Sequence, residues 1–265
     1  MSKIDLSQIS DKQYAFLSAK PKHVGFGGAR GGGKSWSVRT KAKILAAVYP
    51  GIKQLIVRRT YPELVNNHIN TLIDELHGIA RYNKSEKMFT FPNGSTIKFG
   101  YCNADKDLDQ YQGAEYDIIF LDEATQLQEM WIKKITACLR GVNAFPKRIY
   151  YTCNPGGVSH GYFKRLFIDR KYEEGENPED YCFIQALVTD NKALMKSQQT
   201  TSSSWKPYRP SFVTPGYTGA GTYTKVNFSR PSAQIRTELN AMRQVFPWSR
   251  PRQKAAGPML SSLWI

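Results

Sequence analysis

Through about residue 198 the chain alternates short, continuously apolar runs with longer amphipathic stretches. Five runs predict strands: His23 to Gly27, Gln54 to Val57, Asp117 to Leu121, Arg148 to Thr152 and Cys182 to Val188. The clearest, Asp117 to Leu121, is apolar at successive positions, the pattern of a strand covered on both faces of a parallel sheet. Helices are predicted over Trp36 to Val48, which stops before Pro50, and over Glu129 to Leu139. A third, from Pro62 to about Ile79, carries Leu64, Ile69, Leu72, Ile73 and Leu76 on its apolar side. Met88 to Phe91 and Thr96 to Tyr101 flank Pro92-Asn93-Gly94-Ser95, and Asn-Gly between alternating runs predicts an inserted β-hairpin decorating the sheet. The expectation is an α/β fold, a mostly parallel sheet flanked by helices, with no internal repeat.

Composition refines this picture at one place. The chain carries 37 Lys+Arg against 22 Asp+Glu, a net charge of +15, which points to polyanionic partners. Residues 199–265, however, hold nine basic residues against a single acid, Glu238, so about half of the excess sits in this segment. Its Ser/Thr/Pro/Tyr-rich run has no sustained period. Two regions are therefore expected, a folded domain over 1–198 and a basic, disordered tail over 199–265. Cys102, Cys138, Cys153 and Cys182 are too widely spaced for metal or redox C-x-x-C motifs and read as free thiols in a reducing compartment. The polar start, and the lack of any 18-residue apolar stretch, predict a cytoplasmic protein with no membrane segment.

The junction after the first strand names a substrate class. Gly28-Ala29-Arg30-Gly31-Gly32-Gly33-Lys34-Ser35 fits G-x-x-x-x-G-K-[ST], a P-loop between a strand and a helix. Glycines let successive backbone N–H groups point at phosphates; Lys34 reaches the β/γ oxygens, and the Ser35 hydroxyl is placed for Mg²⁺. The implied ligand is a nucleoside triphosphate, ATP, with Mg²⁺. Asp117-Ile118-Ile119-Phe120-Leu121-Asp122-Glu123 reads as a Walker B strand. Asp122 would hold Mg²⁺ through its water shell, and Glu123 would orient and deprotonate the attacking water.

Two further positions have a plain reading beside a functional one. Thr152 and Asn154 end a strand expected beside Walker B, where polar groups meet the γ-phosphate or the water; they equally suit a capped strand before an Asn-Pro-Gly turn. Gln13, ahead of the P-loop, can read an adenine edge or sit on the surface of a first helix.

These segments in this order, namely the glutamine-containing N-terminal stretch, GGARGGGKS, VRRTYPEL, YQGAEYDIIFLDEATQL and YYTCNPGG, resemble the large terminase subunit of tailed bacteriophages over about residues 5 to 198. The resemblance implies a P-loop NTPase of the additional-strand, catalytic-glutamate type that drives double-stranded DNA into a preformed capsid. It implies phosphate and Mg²⁺ roles for Lys34 and Ser35, metal and base roles for Asp122 and Glu123, and a coupling role for Thr152 to Asn154. Arg30 falls where terminases often carry an arginine that swings onto the γ-phosphate. The implied partners are a small terminase subunit and a portal protein, with the ATPase acting as a homo-oligomeric ring.

The sequence departs from that family after residue 198. A terminase nuclease needs a cluster of acids for two metal ions, and one glutamate cannot supply it, so no nuclease activity is expected. Regrouping possible codons for Gln199 onward by one base yields a string resembling the family's interdomain linker, which predicts that the tail is an out-of-frame reading. Three functions stay open: a packaging-motor ATPase, a generic nucleic-acid-stimulated ATPase or helicase, and an inactive prophage remnant.

Overall fold

From the N-terminal side, helix α1 (Asp11–Ser18) leads to strand β1 (His23–Gly28), helix α2 (Lys34–Val48) and strand β2 (Lys53–Arg58). Helices α3 (Tyr61–Leu64) and α4 (Asn70–Glu75) are joined by a π-helical turn at Val65–Ile69, and strands β3 (Arg81–Asn83), β4 (Met88–Thr90) and β5 (Thr96–Tyr101) follow. Then come β6 (Ile118–Leu121), α5 (Glu129–Thr136), β7 (Arg148–Cys153), α6 (His160–Phe163) with a π-helical continuation at Lys164–Asp169, and β8 (Tyr181–Ala186). This computed structural model describes residues 9–28 and 32–186; the tail proposed for 199–265 lies outside the described residues.

All eight strands form one sheet in the order β3-β4-β5-β2-β6-β7-β1-β8, and the six from β5 to β8 run parallel. Strand β7 lies between β1, which feeds the Gly28–Ser35 loop, and β6, which carries the acids, as the additional-strand expectation requires. The two faces of the sheet are covered by separate cores, as the continuous apolar runs require. Val24, Phe26, Ile56, Ile118, Phe120 and Tyr150 face one core with Phe16 of α1 and Val38, Ala42 and Leu45 of α2. Leu55, Val57, Ile119, Leu121, Ile149 and Tyr151 face the other, with Trp131, Ile132 and Ile135 of α5 and Phe163 of α6.

Several boundaries differ from the sequence expectation. The hairpin forms across β4 and β5, with Gly94 at φ 81° in its turn, but β5 also pairs in parallel with β2 and so belongs to the main sheet; β4 and the unpredicted β3 extend it antiparallel. The helix expected to reach Ile79 ends at Glu75, because the chain turns through Leu76 (φ −104°) and Gly78 (φ 75°). Ile79 still packs against the core from that turn, which is why the apolar pattern runs past the helix end. Ile73, expected on the apolar side, is largely exposed. Helix α5 stops at Thr136 rather than Leu139. Strand β8 starts one residue early, at Tyr181.

Candidate active site

Parallel strands present their carboxyl ends on one edge, and register sets which residues meet there. Phe26 of β1 pairs with Thr152 of β7, and Leu121 of β6 pairs with Tyr151, so Asp122 lies level with Thr152 and one strand removed from the P-loop. Gly33 takes a left-handed conformation (φ 72°, ψ 19°) as the N-cap of α2, which a side chain would strain. The helix therefore starts at Lys34, and Lys34 and Ser35 turn toward the acids. Ala29, Arg30 and Gly31 lie outside the described residues.

The centre of the site is the buried Asp122 carboxylate, only 1% exposed. The Ser35 hydroxyl lies 3.2 Å from Oδ2 and 3.5 Å from Oδ1. The Thr152 hydroxyl donates to Oδ1 at 2.5 Å and accepts the Glu123 backbone N–H at 2.8 Å. His68 Nε2 is 2.8 Å from Oδ2, and Arg58 Nε is 3.2 Å from the same oxygen. Burial pushes the Asp122 carboxyl up, but His68, Arg58 and the Thr152 hydroxyl more than offset it and hold the group well below the usual carboxylate range. Asp122 is thus an anion whatever the pH of the cell. Burial also lowers Lys34, against the opposing pull of Asp122, Cys153 and Glu123.

Glu123 is one of three described non-glycine residues with positive φ, at 54°. This kink turns its side chain away from the strand direction into the cleft. Arg58 Nη2 lies 2.6 Å from Oε1, and Gln126 Nε2 donates to Oε2 at 2.7 Å, so both oxygens are engaged. Beyond Thr152, the chain is laid against the turn after Walker B. Thr125 Oγ1 donates to the Asn154 carbonyl at 3.2 Å, Ser159 N–H donates to the Thr125 carbonyl, and a Cβ on Gly157 would overlap that same carbonyl. The acid turn, Asn154 and the start of α6 are one tied unit. Asn154 Oδ1 is buried without a hydrogen-bond partner.

A cavity of about 480 Å³ opens over these groups. Gly32, Gly33, Lys34, Ser35, Asp122, Glu123, Thr152 and Asn154 line it, so eight residues selected from sequence converge on one space. Two do not. Gly28 abuts the Ala186 backbone, which a Cβ there would overlap. Gln13 is buried in α1, where it forms a capping box with Ser10: its Oε1 accepts the Ser10 N–H at 2.9 Å, and its own N–H donates to Ser10 Oγ at 3.2 Å. A surface glutamine is thereby ruled out.

The opposite wall was not anticipated. It comes from the segment that leaves β2, which supplies Arg58 to both acids, Asn66, Asn67 and Thr71 to the cavity, and His68 to Asp122. Arg39 of α2 also lines the cavity, and its Nη1 donates to the Asn67 carbonyl at 2.5 Å. A signal for His68 existed: it stands four residues from both Leu64 and Leu72, a histidine inside the apolar stripe. Arg58, at the end of an apolar strand run, carried a similar signal.

Two facing oxygen donors, a permanent carboxylate and a hydroxyl, suit Mg²⁺, which takes one or two protein oxygens and completes its shell with phosphate and water. The facing Asp122 and Ser35 oxygens fit that donor set. Among the described residues no helix is long and apolar enough to cross a membrane.

A family model described as phage terminase large subunit matches residues 21–213. Among solved structures, the large terminase of a thermophilic bacteriophage superposes with a TM-score of 0.59 at 18% identity, over 74% of this chain and 51% of its own. The same thermophilic-phage protein in complex with ATP-gamma-S gives 0.56 at 18% identity, over 73% and 48%. The large terminase ATPase domain of Thermus phage P74-26 gives 0.52 at 16% identity, over 71% and 84%. At these identities the likeness is one of fold. The chain spans about half the length of the thermophilic-phage protein. No curated protein sequence matches it significantly.

Proposed function

Because the chain belongs to the phage terminase large subunit family, we propose that its P-loop domain hydrolyses ATP with Mg²⁺ and that hydrolysis moves double-stranded DNA into a procapsid. The observation that carries this reading is the meeting of Lys34 and Ser35 with Asp122 and Glu123 around one cavity, with Thr152 bridging the two acids. A related fold has been solved with ATP-gamma-S, in the large terminase of the thermophilic bacteriophage.

In this scheme the P-loop, Gly28 to Ser35, would wrap the phosphates, Lys34 would contact the β/γ oxygens, and Ser35 and Asp122 would hold Mg²⁺, which would supply neutralisation of phosphate charge. Glu123 is the base. Each of its oxygens accepts one bond, from Arg58 or Gln126, and keeps a second lone pair for the proton of water. Arg30 approaches the γ-phosphate in the transition state. Thr152 and Asn154 pass the state of the γ-phosphate to α6 through the tied unit. Gln13 would contact adenine through Nε2, since its Oε1 is taken by the helix cap. The double-stranded DNA, the small terminase subunit, the portal protein and a ring of copies in the bacterial cytoplasm complete the motor.

An ATPase assay on the full chain, with and without double-stranded DNA, tests the proposal. Lys34→Ala should abolish turnover. Glu123→Gln should abolish turnover and keep nucleotide binding, since the base acts only in the chemical step. Arg30→Ala should cost roughly 10³-fold in kcat with little change in binding. Wild-type turnover in Glu123→Gln sinks the base assignment. DNA strand separation by the chain would favour a helicase, and failure to complement a terminase-deficient phage would favour a prophage remnant.

A further inference from the structure

His68 is fully buried, lies outside every motif read from the sequence, and touches the buried carboxylate of Asp122. It sits in the π-helical turn Val65–Ile69, four residues from Leu64 and from Leu72, both of which are core. A leucine would satisfy that stripe. Instead the chain buries an imidazole whose Nδ1 has no hydrogen-bond partner, and leaving a buried nitrogen unpaired is destabilising. What offsets it is the bond from Nε2 to a charged carboxylate, roughly twice as strong as a neutral one. Nε2 is the ring nitrogen that faces the carboxylate, so it is the one placed to donate.

The consequence for Asp122 is geometric. Thr152 fixes Oδ1 at 2.5 Å and His68 fixes Oδ2 at 2.8 Å, so the two bonds, from opposite walls of the cleft, set the plane of the carboxylate. Arg58 contributes charge, but its Nε makes no directed hydrogen bond and its Nη2 is spent on Glu123. The turn that carries His68 is itself held to the P-loop helix by the bond from Arg39 to the Asn67 carbonyl. The carboxylate, the Ser35 hydroxyl and the histidine are therefore parts of one rigid frame.

We propose that His68 is the positioning residue of Asp122, holding its carboxylate in the orientation that presents oxygen to Mg²⁺ together with Ser35. The inference rests on the reading of Asp122 and Ser35 as the Mg²⁺ residues, and it assigns the β2-to-α4 segment a share in metal binding. Groups that orient metal-binding carboxylates are worth about 10- to 100-fold in metal affinity.

The test is ATP-gamma-S binding to the full chain by calorimetry, in EDTA and across a Mg²⁺ titration, with folding checked by thermal melting. In His68→Leu, affinity in EDTA should match wild type, while the Mg²⁺ concentration giving half-maximal effect should rise about 10-fold or more. His68→Gln, whose amide N–H reaches the position of Nε2, should restore most of the Mg²⁺ response. His68→Asn is one bond too short and should behave like leucine. This pair decides the matter even if the leucine variant fails to fold. Equal losses with and without Mg²⁺, or equal behaviour of Gln and Asn, would show that His68 only fills space and overturn the inference. A wild type whose binding ignores Mg²⁺ would overturn the metal reading of Asp122 first, and this inference with it.

Discussion

One hydroxyl, that of Thr152, holds two acids in register, donating to the side chain of Asp122 and accepting the backbone of Glu123. Thr152→Val keeps the shape and removes both bonds. It leaves a backbone N–H without a partner and Asp122 Oδ1 with only the long contact to the Ser35 hydroxyl, a loss of about 2–4 kcal/mol, whereas Thr152→Ser should recover most of it. Urea denaturation of the three proteins measures this, and a valine variant as stable as wild type would mean that water replaces the hydroxyl. At this scale the sequence was informative where backbone and chemistry are linked locally. Lys34 and Ser35 open a helix, Asp122, Glu123, Thr152 and Asn154 stand at the ends of strands, and all six line the cavity. Arg58 and His68 reach the same acids from a segment more than fifty residues earlier, and only the order of strands, which no local pattern encodes, brings them there.

Elements covered on both faces were legible, because a strand buried on both sides must be apolar at nearly every position; four such runs are strands, and the fifth is a half-buried edge strand as far as Ala186, with Leu187 and Val188 outside the described residues. The three-residue β3 and the 3₁₀ segment Asp105–Tyr111 were not, being too short to show a period. Nor were the π turns, since one extra residue per turn shifts the apolar stripe too little to be seen in five or six residues. Strand β1 carries its own titration. His23, at its start, stacks on Tyr181 at 4.5 Å, and its Nδ1 lies 3.0 Å from the Tyr151 hydroxyl. Burial, with Lys22 nearby, lowers its pKa from 6.5 to about 4. The folded protein therefore refuses a proton that the unfolded chain accepts below pH 6.5. Stability contributed by the neutral ring is present above 6.5 and falls as pH drops toward 4, by up to about 3 kcal/mol. Denaturation midpoints between pH 7 and 4 should fall less steeply in His23→Gln, and parallel curves would refute the assignment.

For the whole molecule, the order of the strands matters more than their number. β1 is paired on one side with β7 and on the other with β8, each more than a hundred residues further along the chain, while the hairpin of β4 and β5 closes within a few residues. Joining distant parallel strands costs loop entropy before any contact repays it, so local pairings form early and these last. The P-loop then acquires its shape only when the sheet is nearly complete. ATP-gamma-S at about 100 times its Kd should slow unfolding roughly 100-fold and leave the refolding rate unchanged, because the rate-limiting species has no pocket to fill. Stopped-flow kinetics in urea would show this, and acceleration of refolding by the nucleotide would place β1–β7 pairing in the transition state. Seen from the ribosome, the nucleotide-binding sequence emerges more than a hundred residues before the strand carrying Thr152 and stays without a use until that strand has been made. The interval leaves Val24 and Phe26 uncovered, and synthesis, not ligand, decides when the site comes into being.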